Sequence, residues 1–169
     1  MTTTRPQDNQ KNDSMTAPQR LMKISQDIAA LSEKVNIIAV SKTFSPKAVE
    51  PVLAAGYRVF GENRVQEAAE KWPNLKASYP DVELHLIGAL QSNKAAQAVM
   101  LFDFIHSLDR IKLARLLAAE MRRQNRQLKI LVQVNTGKED QKSGIPPEET
   151  EEFVITCRSE LGLIQSDKL

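Results

Sequence analysis

Apolar residues recur along this chain in two alternating periods, and the switches between them mark its elements. Leu21, Ile24, Ile28, Leu31 and Val35 fall at helical spacing, which predicts an amphipathic helix over residues 17–34. The β-branched run VNIIAVS (35–41) predicts a buried strand. Ser45-Pro46 reads as a helix cap with proline at the first helical position, and Gly56 closes that helix. YRVFGEN (57–63) predicts the next strand and its exit, followed by a helix in VQEAAEKWPNL (65–75) that Pro73 ends. The alternation continues with strands in ELHLIG (83–88), FDFIHSLD (102–109) and LKILVQVN (128–135), and helices in QSNKAAQAVM (91–100) and residues 110–127. TGKEDQKSGI (136–145) reads as a polar loop, and Pro147 opens a last helix that ends at Leu161-Gly162. Residues 1–15 are polar without periodicity and read as a disordered tail ahead of a domain over 16–169.

A lead helix followed by five strand–helix units implies an α/β fold with a parallel sheet and right-handed crossovers. Two architectures satisfy that order. A five-stranded doubly wound sheet would be complete, whereas a (β/α)8 barrel needs about 250 residues and would here stop after its fifth unit. Periodicity does not choose between them.

Composition narrows the class of function. Hydrophobic residues make up 41% and charged residues 26%, close to the soluble globular average, and 169 residues suffice for one cored domain. The 23 basic and 21 acidic residues leave a net charge of +2, and no basic stripe argues for nucleic acid. No apolar run approaches the roughly 20 residues of a membrane helix, and the first residues lack the apolar stretch of a signal peptide. The single cysteine, Cys157, excludes a disulfide framework and reads as a core thiol. These features read together as a cytoplasmic protein without a membrane partner.

Candidate chemistry gathers at the strand exits, where ligands bind in either architecture. Those exits hold Ser41-Lys42, Gly61-Glu62-Asn63, Gly88, Ser107-Asp109 and Asn135. Lys42 stands out because it follows a strand read as buried. A desolvated amine there would be freed as a nucleophile towards carbonyls, and the competing reading is a lysine that snorkels to water. His85 faces opposite to Leu84 and Leu86 by alternation, and a satisfied structural histidine is the plainer reading for it and for His106. Two histidines without a carboxylate at ligand spacing do not make a metal site. The segment from Gly88 through Gln91, Asn93 and Lys94 is a glycine exit into a helix that could receive an anion, but it matches neither phosphate-loop pattern.

Taken together, AVSK (39–42), FGENRVQEA (60–68), HLIGALQSNK (85–94), HSLDR (106–110) and QVNTGKEDQKSG (133–144) resemble the pyridoxal-phosphate homeostasis proteins. That family is related to the N-terminal barrel of alanine racemase and shares its (β/α)8 fold. The resemblance covers roughly residues 17–162 and rests on the motifs in combination. It implies a partial barrel with pyridoxal 5′-phosphate as cofactor. By position it makes Lys42 the lysine of the internal aldimine. It places Asn63, His85, Gly88, Gln91, Asn93, Lys94 and Asn135 around the cofactor. The chain departs from the family near its end. Leu161-Gly162-Leu163-Ile164 reads as the start of a sixth strand, which then breaks off, so the chain reads as truncated. The later units of the family supply most of the phosphate grip and the arginine beside the pyridine nitrogen.

Four functions are in play. The first is a monomeric cofactor carrier with little or no turnover, whose recipients are apo pyridoxal-phosphate enzymes. The second is an amino-acid racemase, which needs two positioned bases. The third is a cofactor-free aldolase using Lys42, and the fourth an inactive fragment. An incomplete barrel is also expected to expose apolar surface and aggregate.

Overall fold

The computed structural model describes residues 15–32, 35–139, 141–159 and 161–163. Of the tail expected over residues 1–15, residues 1–14 lie outside the described residues. Of the sixth strand expected to start at Leu161, residues 161–163 are turn and coil, and Ile164 onward lies outside the described residues.

The elements run α1 (Ala17–Ala29), β1 (Ala39–Val40), α2 (Pro46–Ala54), β2 (Val59–Glu62), α3 (Val65–Ser78), β3 (Glu83–Leu86), α4 (Ala95–Leu101), β4 (Phe104–Leu108), α5 (Ile111–Gln124), β5 (Lys129–Val132) and α6 (Thr150–Ser159). Short 3-10 turns at Ser92–Lys94 and Pro147–Glu149 lead into α4 and α6. The strands form one parallel sheet in the order β1-β2-β3-β4-β5. That order decides between the two expected architectures. A doubly wound sheet reverses direction and places helices on both faces. Here each right-handed crossover advances the same way, so the crossover helices collect on one face, as in a barrel wall.

The helix-covered face carries the core. Phe60, Leu84, Leu86, Ile105 and Leu108 point into it and meet Leu53, Trp72, Val99, Leu113 and Leu117 from the helices. The opposite face carries the row Val40–Gly61–His85–Phe104–Lys129, which the register aligns across all five strands. Val40 is 46% exposed and Leu131 43%, so this face stands open among the described residues.

Several boundaries differ from the sequence expectations. The lead helix stops at Ala29 rather than near residue 34, and none of its residues is buried, so little packing extends it beyond the local pattern. Its start is fixed locally, with Gln19 Oε1 accepting the Thr16 backbone N–H at 2.8 Å. The expected strand over 35–41 contracts to Ala39–Val40 and is not buried, because β1 pairs with β2 alone. Ser45 caps α2 through its backbone carbonyl rather than its side chain. Pro73 lies inside α3 and does not end it. A helix-interior proline costs about 3 kcal/mol, but the next-door Trp72 is fully buried and Leu75 is buried as well. Packing on both sides of the break carries the helix through it.

Candidate functional site

Lys42 follows β1 after one intervening residue, Ser41, and sits in a tight turn. The Phe44 N–H donates to the Ser41 carbonyl at 3.2 Å, which leaves Lys42 and Thr43 at the centre of the turn. Thr43 has φ +66°, in the left-handed region. A β-branched residue held there costs about 1–3 kcal/mol, so the surroundings must impose it. Lys71, on α3, does so from beneath. Its buried ammonium donates to the Ser41 carbonyl at 2.7 Å and the Phe44 carbonyl at 3.0 Å, and pairs with Glu62 Oε1 at 2.6 Å. All three ammonium donors are then used. The same carboxylate oxygen accepts from Ser41 Oγ at 2.6 Å and from Trp72 Nε1 at 2.9 Å.

The expectation that Lys42 emerges from a buried strand is corrected here. Its side chain is exposed, because β1 has a partner on one side only. The sequence reading also missed the Glu62–Lys71 cluster beneath the turn. Part of it was legible, since alternation places Glu62 on the same face as the inward Phe60. The partnership with Lys71 across a turn and into a helix was not.

At the neighbouring exits, Asn63, Arg64, Gly88, Gln91 and Lys94 line a cleft of about 580 Å³. The β1–β2 pairing extends as far as the Ser41 N–H, which donates to the Gly61 carbonyl at 3.0 Å; Lys42 lies just past it, in the turn, and does not line this cleft. Gly88 is required by close approach, because a Cβ there would lie 2.2 Å from the Asn63 backbone oxygen. The loop after it is tied down by Arg110, which donates to the Leu90 carbonyl at 2.8 Å and pairs with Asp109 at 2.5 Å. Asn93 is exposed on the 3-10 turn and does not line this cleft.

Asn135 borders a second cleft of about 430 Å³, with Ile87, Ala89 and Gln133. Its side chain is engaged by its own loop. The amide donates to the Glu139 carbonyl at 2.9 Å, and its oxygen accepts the Glu139 N–H at 3.3 Å.

His85 lies on the open face and is nonetheless buried, stacked on Phe104 with ring centres 4.2 Å apart. Its Nε2 lies 3.0 Å from Glu83 Oε1 and its Nδ1 lies 2.8 Å from His106 Nε2. A carboxylate can only accept, so His85 Nε2 donates to Glu83; when the His85 ring is neutral its Nδ1 accepts from His106 Nε2, and when it is protonated the roles of that pair reverse. Burial, with His85 alongside, lowers the pKa of His106 below the ordinary 6.5. No group of three metal-ligating side chains occurs among the described residues. No described helix is long and apolar enough to cross a membrane.

Residues 20–166 match the family model for the alanine racemase N-terminal domain. The chain is 40% identical over 123 residues to the pyridoxal phosphate homeostasis protein of Vibrio alginolyticus, covering 72% of this chain and 53% of that protein. It is 37% identical over 142 residues to the protein of that name from Pasteurella multocida, covering 80% of this chain and 61% of the other. The chain thus spans about half the length of the curated relatives it matches. Among solved structures, PipY of Synechococcus elongatus with pyridoxal phosphate bound superposes with a TM-score of 0.70 at 37% identity, covering 84% of this chain and 66% of that one. The alanine racemase of Bartonella henselae, at 16% identity and a TM-score of 0.62 over 83% of this chain and 39% of that one, shares the fold.

Proposed function

The chain belongs to the alanine racemase N-terminal domain family, and from that premise we propose that it carries pyridoxal 5′-phosphate reversibly on Lys42 without turning over an amino acid. The observation that carries this reading is the Lys42 turn, which holds an exposed primary amine just past the carboxyl end of β1, beside the strand whose exit, at Asn63, opens the cleft. The relatives named for pyridoxal phosphate homeostasis and the PipY structure with the cofactor bound support it.

The residues present fit the group. The cleft is of small-ligand size and is lined by the cations Arg64 and Lys94 and the amides of Asn63 and Gln91, a donor set suited to an anionic phosphate ester. The cofactor supplies an electrophilic aldehyde when bound. Lys42 Nζ would be the nucleophile that holds the group covalently, one water being released for each link formed. Lys94 and Arg64 favour the phosphate charge, and Asn63 and Gln91 orient the ligand through their amides. His85, Asn93 and Asn135 lie outside this cleft and complete the proposed set only as positions the family resemblance implies. The link is reversible by hydrolysis, so apo pyridoxal-phosphate enzymes in the cytoplasm are the recipients, and the carrier acts as a monomer.

Racemisation needs a proton-transfer group on each side of the substrate carbon. Tyr57 precedes β2 and Tyr79 follows α3, where it faces the Arg58 guanidinium at 5.3 Å. Both stand at the amino end of the sheet, away from Lys42. The test is to incubate the protein with pyridoxal phosphate, reduce with borohydride and map the labelled peptide. Label on Lys42, lost in Lys42→Ala, is expected; label on another lysine overturns the reading. Lys42-dependent formation of D-alanine or pyruvate from L-alanine, well above that with free cofactor, would establish an enzyme instead.

A further inference from the structure

We propose that the buried Lys71–Glu62 pair is the positioning device of Lys42: it holds the Ser41–Phe44 turn in a conformation the backbone would not keep by itself. This inference rests on the reading of Lys42 as the cofactor lysine. It concerns residues that do not touch the cleft.

Three observations converge on it. Thr43, next to Lys42, is β-branched and has φ +66°. Left to local preference it would leave that region and swing the Lys42 stem with it. Lys71 Nζ binds the carbonyls at both ends of the turn, Ser41 at 2.7 Å and Phe44 at 3.0 Å. The Phe44 contact bridges the strand end to the entry of α2. The third observation is that Lys71 itself is fixed. Glu62, with no exposed surface, pairs with it at 2.6 Å, and Ser41 Oγ and Trp72 Nε1 fix that carboxylate from two other directions. Glu62 lies on β2, Lys71 and Trp72 on α3, and Ser41 at the end of β1, so the pair references Lys42 to three elements at once. Lys71 is buried with its donors occupied, so it competes poorly with Lys42 for an aldehyde. It acts on Lys42 through the backbone.

The test separates the turn from the fold. The double variant Lys71→Met with Glu62→Gln removes the clamp and leaves no unpaired buried charge. Adding Thr43→Gly permits a positive φ without strain. Two readouts are taken on each. Borohydride trapping of pyridoxal phosphate at Lys42, at subsaturating cofactor, is expected to fall about tenfold in the double variant, as for a displaced reacting group. It is expected to recover most of that loss in the triple. Hydrogen exchange of the Phe44 amide, which needs no cofactor, is expected to rise about tenfold in the double variant and to return towards wild type in the triple. Wild-type trapping and exchange in a folded double variant overturn the inference, and so does a loss that Thr43→Gly fails to restore. If wild type itself fails to label at Lys42, the cofactor reading falls, and the exchange measurements still decide the clamp. If the double variant does not fold, Lys71→Arg decides. Its planar guanidinium keeps the charge opposite Glu62 but not the ammonium geometry, and a wild-type Phe44 exchange rate there overturns the inference.

Discussion

The exits of β1 and β5 lie at the same, carboxyl end of the parallel sheet, on its two opposite edge strands, and are held in opposite ways. The β1 turn is held from below, by a buried ion pair whose partners come from β2 and α3. The β5 exit is held by its own loop, through the Asn135 amide, the neighbouring Glu139–Lys142 ion pair and an exposed Lys138–Glu148 contact at 3.3 Å. The first arrangement couples the Lys42 turn to the core, so the turn's geometry and the stability of the domain are one property. The second is local and separable, because exposed pairs contribute little and break without cost to the core. An amine that must meet a ligand at a defined angle belongs on the first kind of exit, and a loop that folds over a site belongs on the second.

The largest expected effect is at the buried pair. Lys71→Ala alone strands the Glu62 carboxylate in the core and should lower stability by about 3–5 kcal/mol, read from urea denaturation; a loss under about 1 kcal/mol would show that the two exits are not held differently. Next comes Gly144, whose φ is +135° and where a Cβ would lie 2.6 Å from the Asn135 nitrogen. Gly144→Ala should cost about 1–3 kcal/mol and open the 136–144 loop to protease. Cleavage there without faster Phe44 exchange would sharpen the contrast, whereas a change at Phe44 would break it. Asn135→Ala should cost about 1 kcal/mol and speed exchange of the Glu139 amide, which the asparagine oxygen holds in the native loop.

The smallest effect belongs to the open face. Burial and His85 depress the pKa of His106 from 6.5, so the unfolded chain takes up that proton first as pH falls. Stability should therefore be flat above pH 6.5, decline as pH drops below it, and level off under the depressed value. His106→Phe should flatten that part of a melting-temperature profile; an unchanged slope would assign it to other groups.

Much of this was legible in the chain, and the divide follows the range of the interactions. Strands with period two and helices with period 3.6 are local patterns, so the order of elements and the polar exits at Lys42, Asn63, Gly88 and Asn135 could be read directly. The helix closing at Gly56 is also local, since φ +95° there asks for glycine whatever surrounds it. Pro73 misled because its cost is local while the burial of Trp72 that outweighs it is not. The sequential strand order, which separates a barrel wall from a doubly wound sheet, depends on which edge each crossover returns to, and no spacing encodes that. The same holds for the exposure of Lys42, set by the single partner of β1, and for the Ser41–Glu62–Lys71 cluster, whose members meet across 21 and 30 residues of sequence. The chain alone determined which residues could do the chemistry. The tertiary structure decided which of them are held still, because a buried charge finds its partner only once the helix is packed on the sheet.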